Sequence, residues 1–498
     1  MASTFFGLTI AYSGLQAANT SLTITGHNVS NINTKGYTRQ QAGTQAADAL
    51  RTHTTYGAIG SGVVVTEISQ IRDSYYDVKY RNNMANYGQY SVKESYMGQI
   101  EDYLDEFTLN GYSQEYKNFF SAVNQLTITP GDTSAKNQLI NNAKSLADYF
   151  NTLTTNLRNV QADANNEIKD AVQQINSYAK NIAALNRQIN QIEANYGNAN
   201  DLRDKRNAMI DELSEIVNLE TSEEDMGNNV SNFSVRINGQ TLVSSYSYNT
   251  LETVARTDKK NYSDAEGLYD VQWNSGQKFD MYSTSLSGHL KGLIDIRDGN
   301  NGEHENIETD DDGNNVTDSD GNLLLTTAPA ADKTVSYKGV PYYQAQLNEF
   351  AKIFSDAVNK IMKSGYTSDG SSKGISLFVT QPNTTVMSAG NITVNPELLK
   401  NADLLAIKKE QNDGESDAKI MEELNKLQSE KIFAGGTGSY FLESIVSDMS
   451  IDSQKAVNLY KNYTDLKTSI HNQRLSIMGV DTDEEAMDMI KYQQAYNL

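Results

Sequence analysis

Residue types that could do chemistry are sparse in this chain of 498 residues, and their spacing fits no reaction centre. Cysteine is absent, which excludes disulfides, thiolate nucleophiles and cysteine-ligated metals. Five histidines occur, and none has a companion at ligand spacing. The closest approach to a zinc-protease signature is His304-Glu305-Asn-Ile-Glu308. That site needs a second imidazole one helical turn on, and Glu308 stands there instead. The runs Asp310-Asp311-Asp312-Gly313 and Asp318-Ser-Asp320-Gly321 look like the start of a calcium loop. Such a loop needs a bidentate glutamate at its twelfth position. Counting from Asp310 that position is Gly321, and from Asp318 it is Pro329. No phosphate-binding glycine loop, dinucleotide fingerprint or nucleophile elbow occurs. The expectation is no catalytic residue, no metal site and no cofactor.

Bulk properties narrow the partners. A formal charge of −22 argues against nucleic acid and anionic membrane, because both need clustered lysine and arginine. No apolar run reaches the roughly 18 residues of a membrane span. The N-terminal stretch lacks the basic and continuous apolar regions of a cleaved secretory signal, so export would follow another route. Hydrophobic residues make up 38% of the chain and only five prolines interrupt it, which permits very long helices.

The elements follow from periodicity. Leu8, Tyr12, Leu15, Asn19, Leu22, Gly26 and Val29 are spaced 4, 3, 4, 3, 4, 3, a heptad-type seam over residues 4–32. It ends near Asn31 to Gly36, where Gly36 reads as a helix stop. At the other end, Met487 and Ile490 mark a second amphipathic helix. Asp481 and Thr482 cap it, and Asp483, Glu484 and Glu485 lie in its first turn, where the helix dipole favours anions. Neither helix can bury its stripe alone, so the two ends are expected to pair, with Leu8, Leu15, Leu22 and Val29 facing Met487 and Ile490.

Between them, residues 132–196 carry the strongest pattern. Its apolar steps of 3 or 4 include Leu146, Phe150, Leu153, Leu157, Ile175, Ile182, Leu185 and Ile189, with a stutter at Val160–Ala164–Ile168. A helix of that length would reach roughly 95 Å, which suits a rod better than a globule. A return helix follows over Asn200–Val217, and a last long helix carries a seam at Leu459, Tyr463, Leu466 and Ile470. Residues 221–339 change character, with strand alternation, Asn-Gly turns and a polar tract near 299–322. The fold class expected is mainly α with an inserted β domain: an elongated, multi-domain rod built on a long antiparallel helical bundle, closed by the N- and C-terminal segments. The parts are 1–60 with 479–498, a terminal coiled-coil-forming axial domain; 61–220 with 340–478, the bundle; and 221–339, a mainly β domain facing outward.

Five segments then carry a resemblance. Ser13-Gly14-Leu15, the heptad helix, and Asn28-Val-Ser-Asn31-Ile-Asn-Thr34-Lys-Gly36-Tyr37 resemble the N-terminal motif of bacterial flagellar rod, hook and hook-associated proteins. Its continuation, Thr38-Arg39-Gln40, is similar to the form found in the FlgK family of first hook-associated proteins. Asn200 to Ser214, Gln346 to Phe378, Ile392 to Pro396 and Gly479 to Tyr496 are similar to later FlgK segments in the same order. The family's terminal helix continues one to two dozen residues beyond the Tyr492-Gln-Gln-Ala-Tyr496 position, so this C-terminus reads as shortened.

The resemblance implies a structural protein of the flagellum, extracellular, exported by the flagellar type III apparatus and not an enzyme. It implies a ring at the hook–filament junction, assembled by pairing of the terminal helices. It also implies four partners: further copies of the chain, the hook protein, a second junction protein of FlgL type and an export chaperone of FlgN type. The alternatives are a hook- or rod-type axial protein, or an extracellular binding module carried by the β insert.

Overall fold

The computed structural model of the protein describes residues 6–51, 58–104, 112–257, 259–301, 303–307, 325–329, 336–382, 384–414, 416–433 and 436–497. Eleven α-helices carry the architecture among them. They are α1 Phe6–Ser30, α2 Ser74–Leu104, α3 Tyr112–Ile128, α4 Thr133–Glu193, α5 Asn200–Ile216, α6 His289–Asp298, α7 Val340–Ser364, α8 Pro396–Lys400, α9 Lys419–Leu427, α10 Gly438–Met478 and α11 Thr482–Asn497.

The spine is α4. It contains no glycine or proline, and its start is capped by Asp132, whose carboxylate accepts from the Ser134 backbone N–H at 2.8 Å. It ends where Tyr196 takes φ +62 and the Gly197 N–H donates back to the Ile192 carbonyl, which satisfies a carbonyl the helix leaves unpaired. Every seam residue expected on α4, from Leu146 to Ile189, is buried. The helix packs against α2, α3, α5, α6 and α7. At one end its Phe150 meets Phe350 at 5.3 Å, in an aromatic cluster with Tyr116, Phe119 and Phe354.

The seam expected on α10 needs correction. Ile470 is buried and Leu459 and Tyr463 are half-buried, but Leu466 is 48% exposed. The buried line runs through Ala456, Ile470 and Met478 instead. The cause lies on α2, which presents tyrosines. Tyr90 stacks on Tyr463 at 5.3 Å, Tyr87 lies 5.5 Å from Tyr460, and Lys467 and Arg474 sit over the rings of Tyr87 and Tyr80. Rings and cations set the contact line, and leucine spacing does not.

Segment 221–339 also departs from a simple outward β domain. Strands Glu220–Asp225, Ser231–Ile237, Gln240–Ser244 and Ser247–Tyr248 form an antiparallel sheet in that order, and Leu251–Ala255 pairs with Tyr269–Trp273. These strands lean on α4 through its asparagines. Asn176 exchanges two hydrogen bonds with Leu251, and Asn190 two with Ser231. The same segment then supplies α6, a bundle helix buried from Leu290 to Asp298 and packed on α2 and α4. Its charges are absorbed in pairs. Lys93 and Lys291 both reach Asp295, and Arg297 and Arg256 both reach Asp298. Burial alone would raise the Asp298 carboxyl; Arg297 and Arg256 override it and hold the group far below the usual carboxylate range. His304 lies on the strand Glu303–Ile307. The tract 308–324, with the aspartates of the calcium-loop comparison, lies outside the described residues.

Candidate functional site

The two chain ends meet: α1 and α11 pack against one another. They do so through other faces than periodicity indicates. Leu8, Met487 and Ile490 are 66%, 65% and 57% exposed, and Leu15, Leu22 and Val29 are only half-buried. The buried stripe of α1 is Ala17, Ala18, Ser21, Ile24, Thr25 and Asn28, and the one buried residue of α11 is Glu485. The expected apolar facing of Leu8, Leu15, Leu22 and Val29 against Met487 and Ile490 is therefore incorrect. Small side chains let the helices approach, and α11 turns an acidic edge inward because α1 and the segment after it receive a carboxylate there.

That receiving structure is built by the N-terminal motif. Asn28 sits at its centre. Its amide nitrogen donates to the Gln40 carbonyl at 2.9 Å and to Glu485 Oε1 at 3.1 Å, and its oxygen accepts from the Tyr37 hydroxyl and the Gln40 N–H. His27 Nδ1 lies 2.9 Å from the same hydroxyl. Burial, then the charges of Asp201, Asp204 and Glu485, push the Tyr37 hydroxyl well above its ordinary value, so it stays a neutral donor. Asn31 and Thr34 shape the turn: Thr34 Oγ1 donates to Asn31 Oδ1, and the Tyr37 N–H donates to the Thr34 carbonyl. Gly36 is not the stop of α1, which ends six residues earlier at Ser30. It has φ +82, and a Cβ there would lie 3.0 Å from Ala208 Cβ on α5, so glycine seats the turn on that helix.

Arg39 closes the junction. Its guanidinium reaches Glu485 at 2.6 Å, Glu484 at 2.9 Å and Asp488 at 3.6 Å, all on α11. Burial by itself lowers its pKa, but Glu484 and Glu485 outweigh that and raise it. The Arg39 N–H also donates to the Met478 carbonyl at the end of α10. Thr38 is held from the other side, where its N–H and hydroxyl both donate to Asp204 of α5 at 2.9 and 2.7 Å. Ser13 acts elsewhere on α1. Its hydroxyl accepts from the Val63 N–H at 3.1 Å, against Gly62 at φ +113. This docks the hairpin Gln40–Ala46 with Val63–Gln70 onto α1. Leu15 is half-buried beside it, and Gly14 has nothing within 4 Å of the position of a Cβ.

Behind the motif lies an ionic chain for which sequence reasoning assigned no role. Arg72 contacts Thr38 and Asp204 and grips Asp77 with two bonds of 2.7 and 3.0 Å. Arg474 of α10 joins Asp77 to Asp211, and Arg81 meets Asp211 at 2.8 Å. Burial raises the Asp204 carboxyl above its usual value, against the bonds from Thr38 and the charge of Arg72. The available signal was the charge density of Asn200-Asp-Leu-Arg-Asp-Lys-Arg206, which a sequence alone reads as a solvated helix start. The arrangement positions α2, α5 and α10 against the motif. Among the described residues no group of three or more His, Asp or Glu could hold a metal ion, and no helix is long and apolar enough to cross a membrane.

With this geometry in place, comparison with known proteins is informative. Residues 97–378 match the family described as flagellar hook-associated protein FlgK helical domain. The chain is 27% identical over 521 aligned residues to flagellar hook-associated protein 1 of Bacillus subtilis, an alignment spanning 100% of this chain and 95% of the relative. It is 28% identical over 535 residues to the protein of that name in Salmonella typhimurium, spanning 98% and 95%. The solved structure of the flagellar hook junction protein FlgK from Burkholderia pseudomallei superposes with a TM-score of 0.63 at 14% identity, covering 80% of this chain and all of that one. At that identity the likeness concerns the fold.

Proposed function

The chain belongs to the FlgK family of flagellar hook-associated proteins, and from that membership we propose that it forms the ring joining hook to filament. It is a structural protein of the bacterial flagellum. On this reading its work is assembly rather than catalysis. Residues 1–60 and 479–498 form the axial part, where the ends pair and meet neighbouring copies around a central channel. Residues 61–220 with 340–478 carry lateral contacts, and the strands of 220–273 face outward. The partners proposed are further copies of the chain, the hook protein below, a second junction protein above, and an export chaperone that binds the C-terminal segment. The export route proposed is the flagellar type III apparatus.

The observation that carries the reading is the junction of the ends. The residues of the N-terminal motif and its FlgK-like continuation, Asn28, Tyr37, Thr38 and Arg39, are those that build the contacts to α11 and α5. On the same two helices Leu8, Tyr12, Met487 and Ile490 stay 57–66% exposed, an apolar supply for contacts between copies. Deletion of the gene followed by electron microscopy tests the proposal. Hooks without filaments, with flagellin shed into the medium, are expected; normal filaments on the deleted strain would overturn it.

A further inference from the structure

The α1–α11 contact contains almost nothing that fixes register by shape. Its α1 side is alanine, serine, threonine, one isoleucine and Asn28, and its α11 side buries Glu485 alone, at 1% exposure. A polar cavity of about 150 Å³ runs beside that carboxylate, lined by Ser21, Thr25, Asn28, Arg39 and Tyr492 among others. Small residues at a helix seam tolerate axial slippage, because one turn of alanine and serine resembles the next. A buried polar group does not tolerate it, since every register but one leaves the group without its partners. Glu485 accepts from Asn28 at 3.1 Å and from Arg39 at 2.6 Å, both through Oε1. No other α11 side chain is buried.

We propose that Glu485 is the register-setting and partner-selecting residue of the end pairing. Asn28 and Arg39 form a two-point socket whose buried occupant is Glu485; Glu484 and Asp488 reach Arg39 at 2.9 and 3.6 Å from its exposed side. The occupant is the chain's own C-terminal helix: the Arg39 N–H bond to the Met478 carbonyl ties the socket to the end of α10, and only Gly479, Val480 and Asp481 separate that helix from α11. The socket thus favours the register in which Glu485, in the first turn of α11, meets both partners; a helix displaced by a turn would offer Asp488, whose side chain is one methylene shorter. This property concerns pairing within one chain and stands whether or not the ring reading holds.

Because the chain has no cysteine, register can be read by disulfide trapping in the full-length protein. Ser21 and Tyr492 line the same small cavity. Ser21→Cys is combined with Tyr492→Cys or, one turn further, with Tyr496→Cys, at low protein concentration under mild oxidation. With Glu485 present, the first pair is expected to close at least tenfold faster than the second. Glu485→Leu is expected to bring the two rates within about threefold while α11 stays helical by hydrogen exchange. Glu485→Gln, which still accepts from Asn28 and Arg39, is expected to keep the preference. An undiminished preference in Glu485→Leu would overturn the proposal. So would loss of helicity in α11 with both pairs failing to close, which would make Glu485 a stabilising group and nothing more. Crosslinked dimers as the main product of the unsubstituted Glu485 protein would overturn the choice of occupant.

Discussion

The central helix α4 and the terminal helix α11 are joined to the same molecule by opposite means. The first buries a continuous stripe from Leu139 to Ile189, closed by aromatic packing. The second buries one carboxylate and leaves Met487 and Ile490 in water. An apolar stripe of that length gives affinity without a sharp register, and burial per side chain contributes about 1.5–3 kcal/mol. A buried ion pair adds little net affinity but is costly to break on one side only. The difference teaches that this molecule separates holding from placing: the bundle supplies cohesion, and the end junction supplies position.

The largest expected effect breaks the comparison on the cohesive side. Phe150→Ala opens a cavity beside Phe350 and should cost about 3–5 kcal/mol, read as a lower denaturant midpoint of the bundle, with hydrogen exchange over residues 482–497 under native conditions unchanged. Arg39→Ala addresses the placing side. It leaves Glu485 buried with Asn28 as its remaining partner, and should cost about 3 kcal/mol of local stability. Hydrogen exchange should show that as faster opening over residues 482–497, while the bundle midpoint stays unchanged. A bundle midpoint that falls with Arg39→Ala would show that the two regions are one cooperative unit.

The smallest effect sharpens the contrast by acid. The Asp298 carboxyl is held far below its usual value, so its contribution is full above the ordinary carboxylate value near 3.9 and is lost as pH falls through the folded one. Asp204 has a raised folded value, so its contribution is present below the ordinary value and is lost as pH rises through the folded one. Lowering the pH from 5 toward 3 should therefore loosen α6, while Asp204 removes no stability from the segment around Thr38 over that range. Exchange rates at Asp298 and Thr38, measured across that range, check the opposite signs, and Asp298→Asn should abolish the loosening.

How far the fold was legible follows the same division. The stripe of α4 was readable because leucine, isoleucine and phenylalanine recur at helical spacing and the bundle buries what that spacing marks. Leu8, Met487 and Leu466 misled because periodicity gives weight to large apolar residues and none to a seam of alanine, serine and asparagine, or to the tyrosines of α2. Helix α6 was missed because Lys291, Asp295, Arg297 and Asp298 look like a surface run until their partners on α2 and the strands are known. The motif around Asn28 and Arg39 was recognisable as a pattern, but its partners Asp204 and Glu485 lie far off in the chain, and no spacing rule links them.

One consequence of the Arg39–Glu485 pair concerns the order of events. Its two residues are 446 positions apart, and Asn28 and Glu485 are 457 apart. Closing so long a loop in an unfolded chain carries an entropy cost that grows only with the logarithm of length, about 0.6 kcal/mol per doubling. Even so, one small polar contact cannot meet it unaided. Once α2, α5 and α10 have condensed, the ends are already neighbours and the remaining loops are short: from Ser74 at the start of α2 back to Arg39, and from Met478 on to Glu485. The junction of the ends is therefore expected to form after the bundle and to open before it. Hydrogen exchange over residues 482–497 is then expected to be faster than over the buried stripe of the bundle.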